Sequence, residues 1–440
     1  MFTQKGSFIM KKSRTFRKSF VAAIAALCLT APLAVMPMTV SAEDTYSITI
    51  TATDESTAHQ YVAYQIFSGD LSVEGTTKVL SDIEWGSNVN VDDITIQDLC
   101  SVLGDVALTE KTASKVAEKL TENNSKAFAD YIAIHLKDSG SQLSADNTTE
   151  ANDYKVTGLS AGYYLVKDVA NLNNQTASKT SYILEVVSNI STNAKSAVPT
   201  IVKKVQENTE LEDEDDYISG SGKKYDDYND VADYNIGDDV PFLDDGTLPS
   251  DFDSYDDYYY QIVDTPGDKF TPNITDEDGK LVTSKITVTI VNEGDDGQLE
   301  EKEVWVDGSN VKIEYVNSQT GTTDNPDTIK VTFGNIREIY EVNESGEKGD
   351  SITVDKDSHV TVEYTAKLDS DAEIGLPGQE SKVKLNFSND PNEYYESTTD
   401  GKPDGIGTTP EDKVIVFTYE LDVLKQLADS DEAKMQVMAK

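Results

Sequence analysis

The chain has 440 residues, of which 80 are acidic and 37 basic, and its formal net charge at pH 7 is −43. Such an excess of acid excludes binding to nucleic acid through its phosphates, which requires clustered lysine and arginine, and it favours a soluble protein with solvated acidic surfaces. At this length we expect two or three domains.

The first 42 residues have the pattern of a secretion signal. A basic start leads into the apolar run 20–40, which ends in small residues at Ala42. This order is typical of a cleaved signal peptide. The alternative, a permanent membrane anchor, is disfavoured because Pro32 and Pro37 interrupt the run. We therefore predict cleavage after Ala42, a secreted mature chain and no stable membrane span within it.

Cysteine is scarce in this sequence. Cys28 lies in the predicted leader, so Cys100 would be the one cysteine of the mature chain. An intrachain disulfide is then impossible, although exported proteins commonly use disulfides for reinforcement. A different internal cross-link would fill that need.

A first domain is predicted over residues 43–195. The stretches 46–51 and 59–67 alternate as half-buried strands do. Apolar residues recur at three- and four-residue spacing over 128–135, which indicates a helix. A hairpin over 154–167 follows. This order predicts a β-sandwich with inserted helices.

A second domain is predicted over residues 196–425. Short alternating runs, such as 284–291 and 328–333, are separated by turns rich in Gly, Asp and Asn. Many short strands of this kind indicate an antiparallel sandwich. The predicted fold class is therefore mainly β, with tandem sandwich domains, and residues 426–440 are predicted to be a polar tail.

One lysine of the second domain falls on an apolar strand face. Because side chains of a strand alternate between its faces, Lys203 shares a face with Ile201 and Val205. An unpaired buried lysine is costly and tends to lose its proton. A neutral amine is a nucleophile.

Two later strands repeat this pattern. Asp238 falls on the apolar face of 234–242, and Asn389 falls on that of 383–389. A neutral Lys203 could attack the side-chain carbonyl of Asn389 and expel ammonia, which leaves an amide cross-link. Asp238, kept protonated by an apolar site, could promote the reaction by hydrogen-bonding the carbonyl and moving the proton.

Other interpretations of these residues stay open. Each of the three could simply be satisfied by ordinary hydrogen bonds. Lys204, Asp239 and Asn386 are the neighbouring alternatives for amine, acid and carboxamide.

Several motifs together resemble the major pilins of Gram-positive bacteria, which are built from immunoglobulin-like, Cna-type domains. The second domain carries PTIVKKV, YNIGDDVPF and KLNFSNDP in the order of the isopeptide-forming fimbrial domain. AYQIFSGDL, DIEWGSNV, GLSAGYYLVKD and SYILEVV resemble the N-terminal domain of the same family. The similarity extends over nearly the whole predicted mature chain.

This resemblance implies a structural subunit of a surface pilus rather than an enzyme. It implies that Lys203 is the amine, Asn389 the carboxamide and Asp238 the promoting acid of an autocatalytic isopeptide bond. The implied partners are other pilin subunits and a pilus sortase. No cofactor is expected.

The linker between the domains contains a candidate sortase acceptor. Lys195 lies in NAKSAVP, where the family has a lysine in a Pro-Lys context, although Ala194 replaces that proline. The alternative is a solvated linker lysine. The sequence has no Leu-Pro-x-Thr-Gly sorting motif, so we do not expect it to act as a sortase donor, and attachment to the cell wall is left open.

Two other functional classes stand beside the pilin hypothesis. One is a cell-surface adhesin on the same scaffold that binds a host protein or glycan, and the other is an extracellular enzyme with carboxylate catalysis. The acid-rich segments 211–217 and 254–260 could hold calcium, but neither has the spacing of a calcium loop. We expect both to be solvated loops with surface tyrosines, and we expect no metal site.

Overall fold

The structure is a computed structural model, and it describes residues 45–52, 59–74, 77–104, 107–121, 123–137, 140–142, 144–146, 153–179, 181–186, 188–194, 197–207, 228–294, 298–392, 405–426 and 434–439. The predicted leader, residues 1–42, lies outside these ranges. In the part of the chain described, no helix is long and apolar enough to cross a membrane.

Residues 45–194, here called the first region, form two sheets and three α-helices. One sheet has the strand order β5-β6-β1-β9, and the other has the order β3-β2-β7-β8 with β4 paired to β2. The strands are β1 (Tyr46–Thr51), β2 (Tyr61–Glu74), β3 (Thr77–Trp85), β4 (Ser141–Gln142), β5 (Ser144–Asp146), β6 (Asp153–Leu159), β7 (Gly162–Asp168), β8 (Ser181–Val186) and β9 (Ile190–Asn193). The helices are α1 (Ile96–Leu103), α2 (Ala113–Ala117) and α3 (Ser125–Ala133).

The helices of the first region cover one of its sheets. Helix α1 begins after Thr95, whose hydroxyl accepts the Asp98 N–H at 3.1 Å, and it ends at Gly104 with φ 67°. The predicted helical stretch is confirmed by α3, which packs Phe128 against Phe67 of β2 with ring centroids 5.9 Å apart. The expected β-sandwich with inserted helices is therefore present.

Residues 197–419, here called the second region, form two seven-stranded sheets and, among the residues described, a two-stranded sheet of Tyr340–Val342 with Lys348–Ser351. The first has the order β11-β10-β13-β22-β16-β17 with β15 paired to β22, and the second has the order β12-β25-β23-β14-β19-β18 with β24 paired to β23. The strands are β10 (Ile201–Gln206), β11 (Tyr228–Asn229), β12 (Val231–Asp233), β13 (Asp239–Thr247), β14 (Tyr260–Thr265), β15 (Phe270–Pro272), β16 (Thr287–Glu293), β17 (Leu299–Glu303), β18 (Val311–Val316), β19 (Thr328–Phe333), β20 (Tyr340–Val342), β21 (Lys348–Ser351), β22 (His359–Leu368), β23 (Gln379–Ser388), β24 (Ile406–Thr408) and β25 (Asp412–Phe417).

The two sheets of the second region share one core. Phe242 and Tyr364 from the first sheet lie in the same buried cluster as Ile262 and Phe387 from the second. Pairing is antiparallel except between β12 and β25. The predicted antiparallel sandwich is thus confirmed. The first strand of this sandwich is β10, which pairs with β13 on one side and β11 on the other.

The structure also describes part of the chain after the sandwich. Strands β26 (Leu421–Gln426) and β27 (Lys434–Ala439) pair as an antiparallel hairpin. Much of the predicted polar tail, residues 426–440, is therefore strand. Pairing with β26 satisfies the backbone N–H and C=O groups of β27, and the polarity of the residues alone does not predict this pairing.

Candidate cross-linking site

Lys203 lies on the buried face of β10, as the alternation predicted. Ile201, Lys203 and Val205 are buried, whereas Val202 and Lys204 are half-buried. The Lys203 side chain is fully enclosed, with 0% exposure. It therefore needs polar partners inside the core.

Those partners are two carboxyl groups and a phenol. The Lys203 Nζ donates to Asp244 Oδ1 at 3.0 Å and lies 3.4 Å from the Tyr364 hydroxyl oxygen. It also donates to Asp264 Oδ2. Tyr364 in turn donates its O–H to Asp264 Oδ1 at 2.8 Å. All four side chains are buried, so water does not weaken these interactions.

The fold brings this cluster together from both sheets. Lys203 on β10 lies directly opposite Asp244 on β13. Tyr364 lies on β22, the next strand of the same sheet, whereas Asp264 lies on β14 in the facing sheet. The Nζ is also 4.9 Å from the ring centroid of Phe242. The amine therefore bridges the two layers of the sandwich.

The charges of the cluster control its protonation. Burial lowers the pKa of Lys203, but the negative charges and hydrogen bonds of Asp244 and Asp264 outweigh burial, and the net shift is upward. Burial, followed by the charge of Asp264, raises the pKa of Asp244 well above its ordinary value. One cation thus faces two acids, and the raised pKa of Asp244 favours its protonated form.

This arrangement corrects the prediction of a neutral amine. The sequence pattern placed Lys203 among apolar residues, where burial alone would remove its proton. The structure adds carboxylates that stabilise the ammonium form. Asp244 Oδ2 is buried without a hydrogen-bond partner, so the second acid is not fully satisfied.

Asp238 is not part of this cluster. It is half-buried in the turn before β13, and its Oδ2 accepts the Asn235 N–H at 3.0 Å. Asp238 does have the same strand parity as Asp244, but it precedes Asp244 by six residues, about 20 Å of extended chain. The predicted acid was on the correct face at the wrong distance along the strand.

Asn389 is also separate from Lys203. It is buried at 1% exposure just after β23 ends, and its Nδ2 donates to the Leu172 carbonyl oxygen at 2.9 Å. Asp264 lies opposite Val383 of β23, and Asn389 is six residues further along, about 20 Å away. The structure therefore does not bring Lys203, Asp238 and Asn389 together.

The neighbouring alternatives do not reach the cluster either. Lys204 contacts Asp230, Asp239 accepts from Asn273 at 2.8 Å, and Asn386 donates to Gln261 at 2.9 Å.

Sequence reasoning missed Asp244, Asp264 and Tyr364. The alternation that placed Phe242 on the inner face extends two residues to Asp244, so this acid was recoverable. Asp264 follows Ile262 with the same period in β14. An acid at an inward position of an apolar strand was the available signal in both cases.

Two further predictions concern the linker and the acidic segments. Lys195 and the segment 211–217 lie outside the described residues. In the segment 254–260, the prediction of surface tyrosines is wrong, because Tyr255, Tyr258 and Tyr260 are buried. They pack in aromatic contacts such as Tyr255 with Tyr258, whose ring centroids are 4.9 Å apart. Among the residues described, no group of three or more His, Cys, Asp or Glu side chains is placed to hold a metal ion.

Comparison with known proteins gives similar structures only. No family model matches the chain, and no curated protein matches it. The T6 backbone pilin of Streptococcus pyogenes serotype M6 is 17% identical over 89% of this chain and 68% of that chain, with a TM-score of 0.47. The major pilin SpaD of Corynebacterium diphtheriae is 13% identical over 90% of this chain and 72% of that chain, with a TM-score of 0.39. A variant of BcpA, the major pilin subunit of Bacillus cereus, is 12% identical over 89% of this chain and 75% of that chain, with a TM-score of 0.37. These similar structures are pilins of Gram-positive bacteria, the group that the sequence motifs resemble.

Proposed function

We propose that this protein is a structural subunit of a Gram-positive surface pilus, exported and displayed outside the cell, and that its second region forms one internal amide bond. The observation that carries the proposal is the buried cluster in which Lys203 of one sheet contacts Asp264 of the facing sheet. A bond there would join the two layers covalently. The pilin-like motifs of both regions support the same role.

The geometry favours Asp264 as the residue that Lys203 attacks. Asp264 Oδ2 accepts a hydrogen bond from the amine, and Asp264 Oδ1 accepts the Tyr364 O–H at 2.8 Å. Transfer of a proton from the ammonium to Asp264 Oδ2 produces a neutral amine beside a neutral acid, and an apolar interior favours neutral groups. The Tyr364 hydroxyl then stabilises the negative charge that develops on Oδ1.

The bond changes balance without any added reagent. The Nζ–Cγ bond forms and the Cγ–Oδ2 bond breaks, and the two protons that the ammonium loses leave with Oδ2 as water. Asp244 lends its proton to the leaving oxygen and recovers one from the nitrogen, so it ends unchanged. The reaction occurs once in each molecule. Its product replaces a buried ion pair by an uncharged amide.

The intact mass of the purified mature chain tests this cross-link. We expect the parent to be lighter than its sequence by one water, and Lys203→Ala and Asp264→Ala to have their full masses. Lys204→Ala, on the opposite face of the same strand, is the matched control and should still lose water. An Asp264→Asn variant would reach the same product by losing ammonia instead.

Other masses would overturn the assignment. Loss of ammonia from the parent, abolished by Asn389→Ala, would instead support the Lys203–Asn389 bond that the sequence predicted. A parent of full mass would mean that the cluster is purely ionic.

The pilus role has its own test. We expect extracts of the native cell wall to contain this chain in a ladder of high-mass, detergent-resistant polymers, because sortase-joined subunits are linked covalently. Lys195→Ala should collapse the ladder to the monomer if Lys195 is the acceptor. A chain found only as a monomer, with a saturable host ligand, would favour the adhesin hypothesis.

A further inference from the structure

A stretch of the first region is held by the second region. Residues 170–179, here called the strap, connect the end of β7 to the start of β8. Leu172, Ala177 and Ser178 are buried, at 2%, 2% and 1% exposure. Connecting segments normally run over the surface, because buried backbone needs hydrogen-bond partners. The strap has those partners outside its own region.

The strap pairs with β24 through the backbone. Asn174 donates its N–H to the Ile406 carbonyl oxygen at 2.7 Å, and Thr408 donates its N–H to the Gln175 carbonyl oxygen at 3.1 Å. The Thr176 hydroxyl donates to the Thr408 carbonyl oxygen at 2.7 Å. The other edge of β24 is already paired with β23. The strap therefore covers an edge that would otherwise be exposed.

Asn389 of the second region makes two hydrogen bonds to the strap. The side-chain Nδ2 of Asn389 donates to the Leu172 carbonyl oxygen at 2.9 Å. The main-chain carbonyl oxygen of Asn389 accepts the Lys179 N–H at 2.7 Å. These two contacts lie on either side of the residues that pair with β24. Since Asn389 is buried, removal of its carboxamide would leave the Leu172 carbonyl without this donor.

An ion pair closes the same contact. Lys179 Nζ lies 2.9 Å from Asp390 Oδ2, and the two side chains are 20% and 6% exposed. The Ser178 hydroxyl donates to the carbonyl oxygen of Ala197, at the start of the second region, at 3.0 Å. The exposed pair between Lys126 and Asp256 also crosses between the regions, but such surface pairs contribute little.

We infer that the strap is an interaction surface between the two regions, and that it makes them open and unfold as one unit. Asn389 is its central contact residue. The inference does not depend on the pilus role or on the internal amide, because it rests on hydrogen bonds that cross between the regions. It also gives Asn389 a function different from the cross-link that its sequence context suggested.

Hydrogen exchange of the full mature chain tests the inference. The amides of Asn174, Lys179 and Thr408 donate across the contact, so we expect them to exchange as slowly as amides of the adjoining sheet. Asn389→Ala should accelerate their exchange about tenfold or more. The matched control is Asn386→Ala in β23, the strand that ends just before Asn389, because it removes a similar carboxamide bond that stays within the second region.

A second variant and a second readout keep the test decisive. If Asn389→Ala does not fold, Thr176→Val removes one exposed hydroxyl bond to β24 and should accelerate the same amides more weakly. Calorimetry should give a single unfolding transition for the parent and two transitions for Asn389→Ala. Strap amides that exchange as fast as exposed loops in the parent, two transitions in the parent, or equal effects of Asn389→Ala and Asn386→Ala would each overturn the inference.

Discussion

Each region contains a buried carboxyl group beside a basic side chain, and the two carboxyl groups differ in how many of their oxygens have hydrogen-bond partners. In the first region, His59 Nδ1 lies 2.6 Å from Asp168 Oδ2, with both side chains enclosed. Asp168 Oδ1 accepts the Gln60 and Ala170 N–H groups, each at 3.0 Å. In the second region, Lys203 faces two acids, and Asp244 Oδ2 has no partner.

The difference distinguishes a structural pair from the pair that we propose to react. Two main-chain N–H groups fix Asp168 Oδ1 in place, and Oδ2 lies beside His59. An amine shared by two buried acids leaves one acid protonated and one close enough to react. The excess carboxyl group, rather than burial itself, is therefore the feature that suggests chemistry at Lys203.

The largest expected effect is at Lys203. Lys203→Met leaves two buried acids without a cation, so we expect the free energy of unfolding to fall by about 3–5 kcal/mol. Lys204→Met, the control on the opposite face, should change it by about 1 kcal/mol or less. Chemical denaturation followed by tryptophan fluorescence measures both. Equal losses in the two variants would show that the buried cluster adds no stability.

The next largest effect is the dependence of the free energy of unfolding on pH, to which Asp244 contributes. Its folded-state pKa is raised, first by burial and then by Asp264, so its stabilisation is complete below the unfolded pKa of about 3.9. That stabilisation is lost as the pH rises toward the folded-state pKa, at about 1.4 kcal/mol per pH unit. Asp244→Asn, which resembles the protonated acid, should remove this loss.

Asp371 is the control of opposite sign for that measurement. Its pKa is lowered by the hydrogen bond and charge of Lys269, so its contribution is present above the unfolded pKa and is lost as the pH falls. Asp371→Asn should therefore lower stability above the unfolded pKa of about 3.9 and leave it unchanged on the acid side. An Asp244→Asn protein with the parent's pH dependence would contradict the assignment of the extra proton to Asp244.

The sequence contained enough information to place Lys203 but not its partners. Alternation is a local property, and β10 follows it residue by residue. It gives the face of a side chain without giving its position along the sheet. Asp238 and Asn389 illustrate this limit, since each lies just beyond an end of its strand and apart from Lys203.

The missing partners depend on contacts far apart in the chain. Asp264 is 61 residues from Lys203 and belongs to the facing sheet. Among 80 acidic residues, no local pattern identifies the one that faces this amine, because strand order and register decide it. The sandwich itself was predictable because many short alternating strands have few other ways to bury their apolar faces.

The smallest effect should come from Tyr364, and it distinguishes positioning from packing. Tyr364→Phe keeps the ring that lies 5.2 Å from the Lys203 Nζ but removes the O–H donated to Asp264 Oδ1. We expect a loss of about 1.5 kcal/mol in the free energy of unfolding and a slower loss of water from newly synthesised chains, followed by mass spectrometry over time. Tyr260→Phe, whose hydroxyl bonds the Thr247 carbonyl oxygen at 3.3 Å away from the cluster, should leave the rate of water loss unchanged. If the two variants lose water at the same rate as the parent, Tyr364 only packs against the amine, and the negative charge on Asp264 must be stabilised by Asp244 alone.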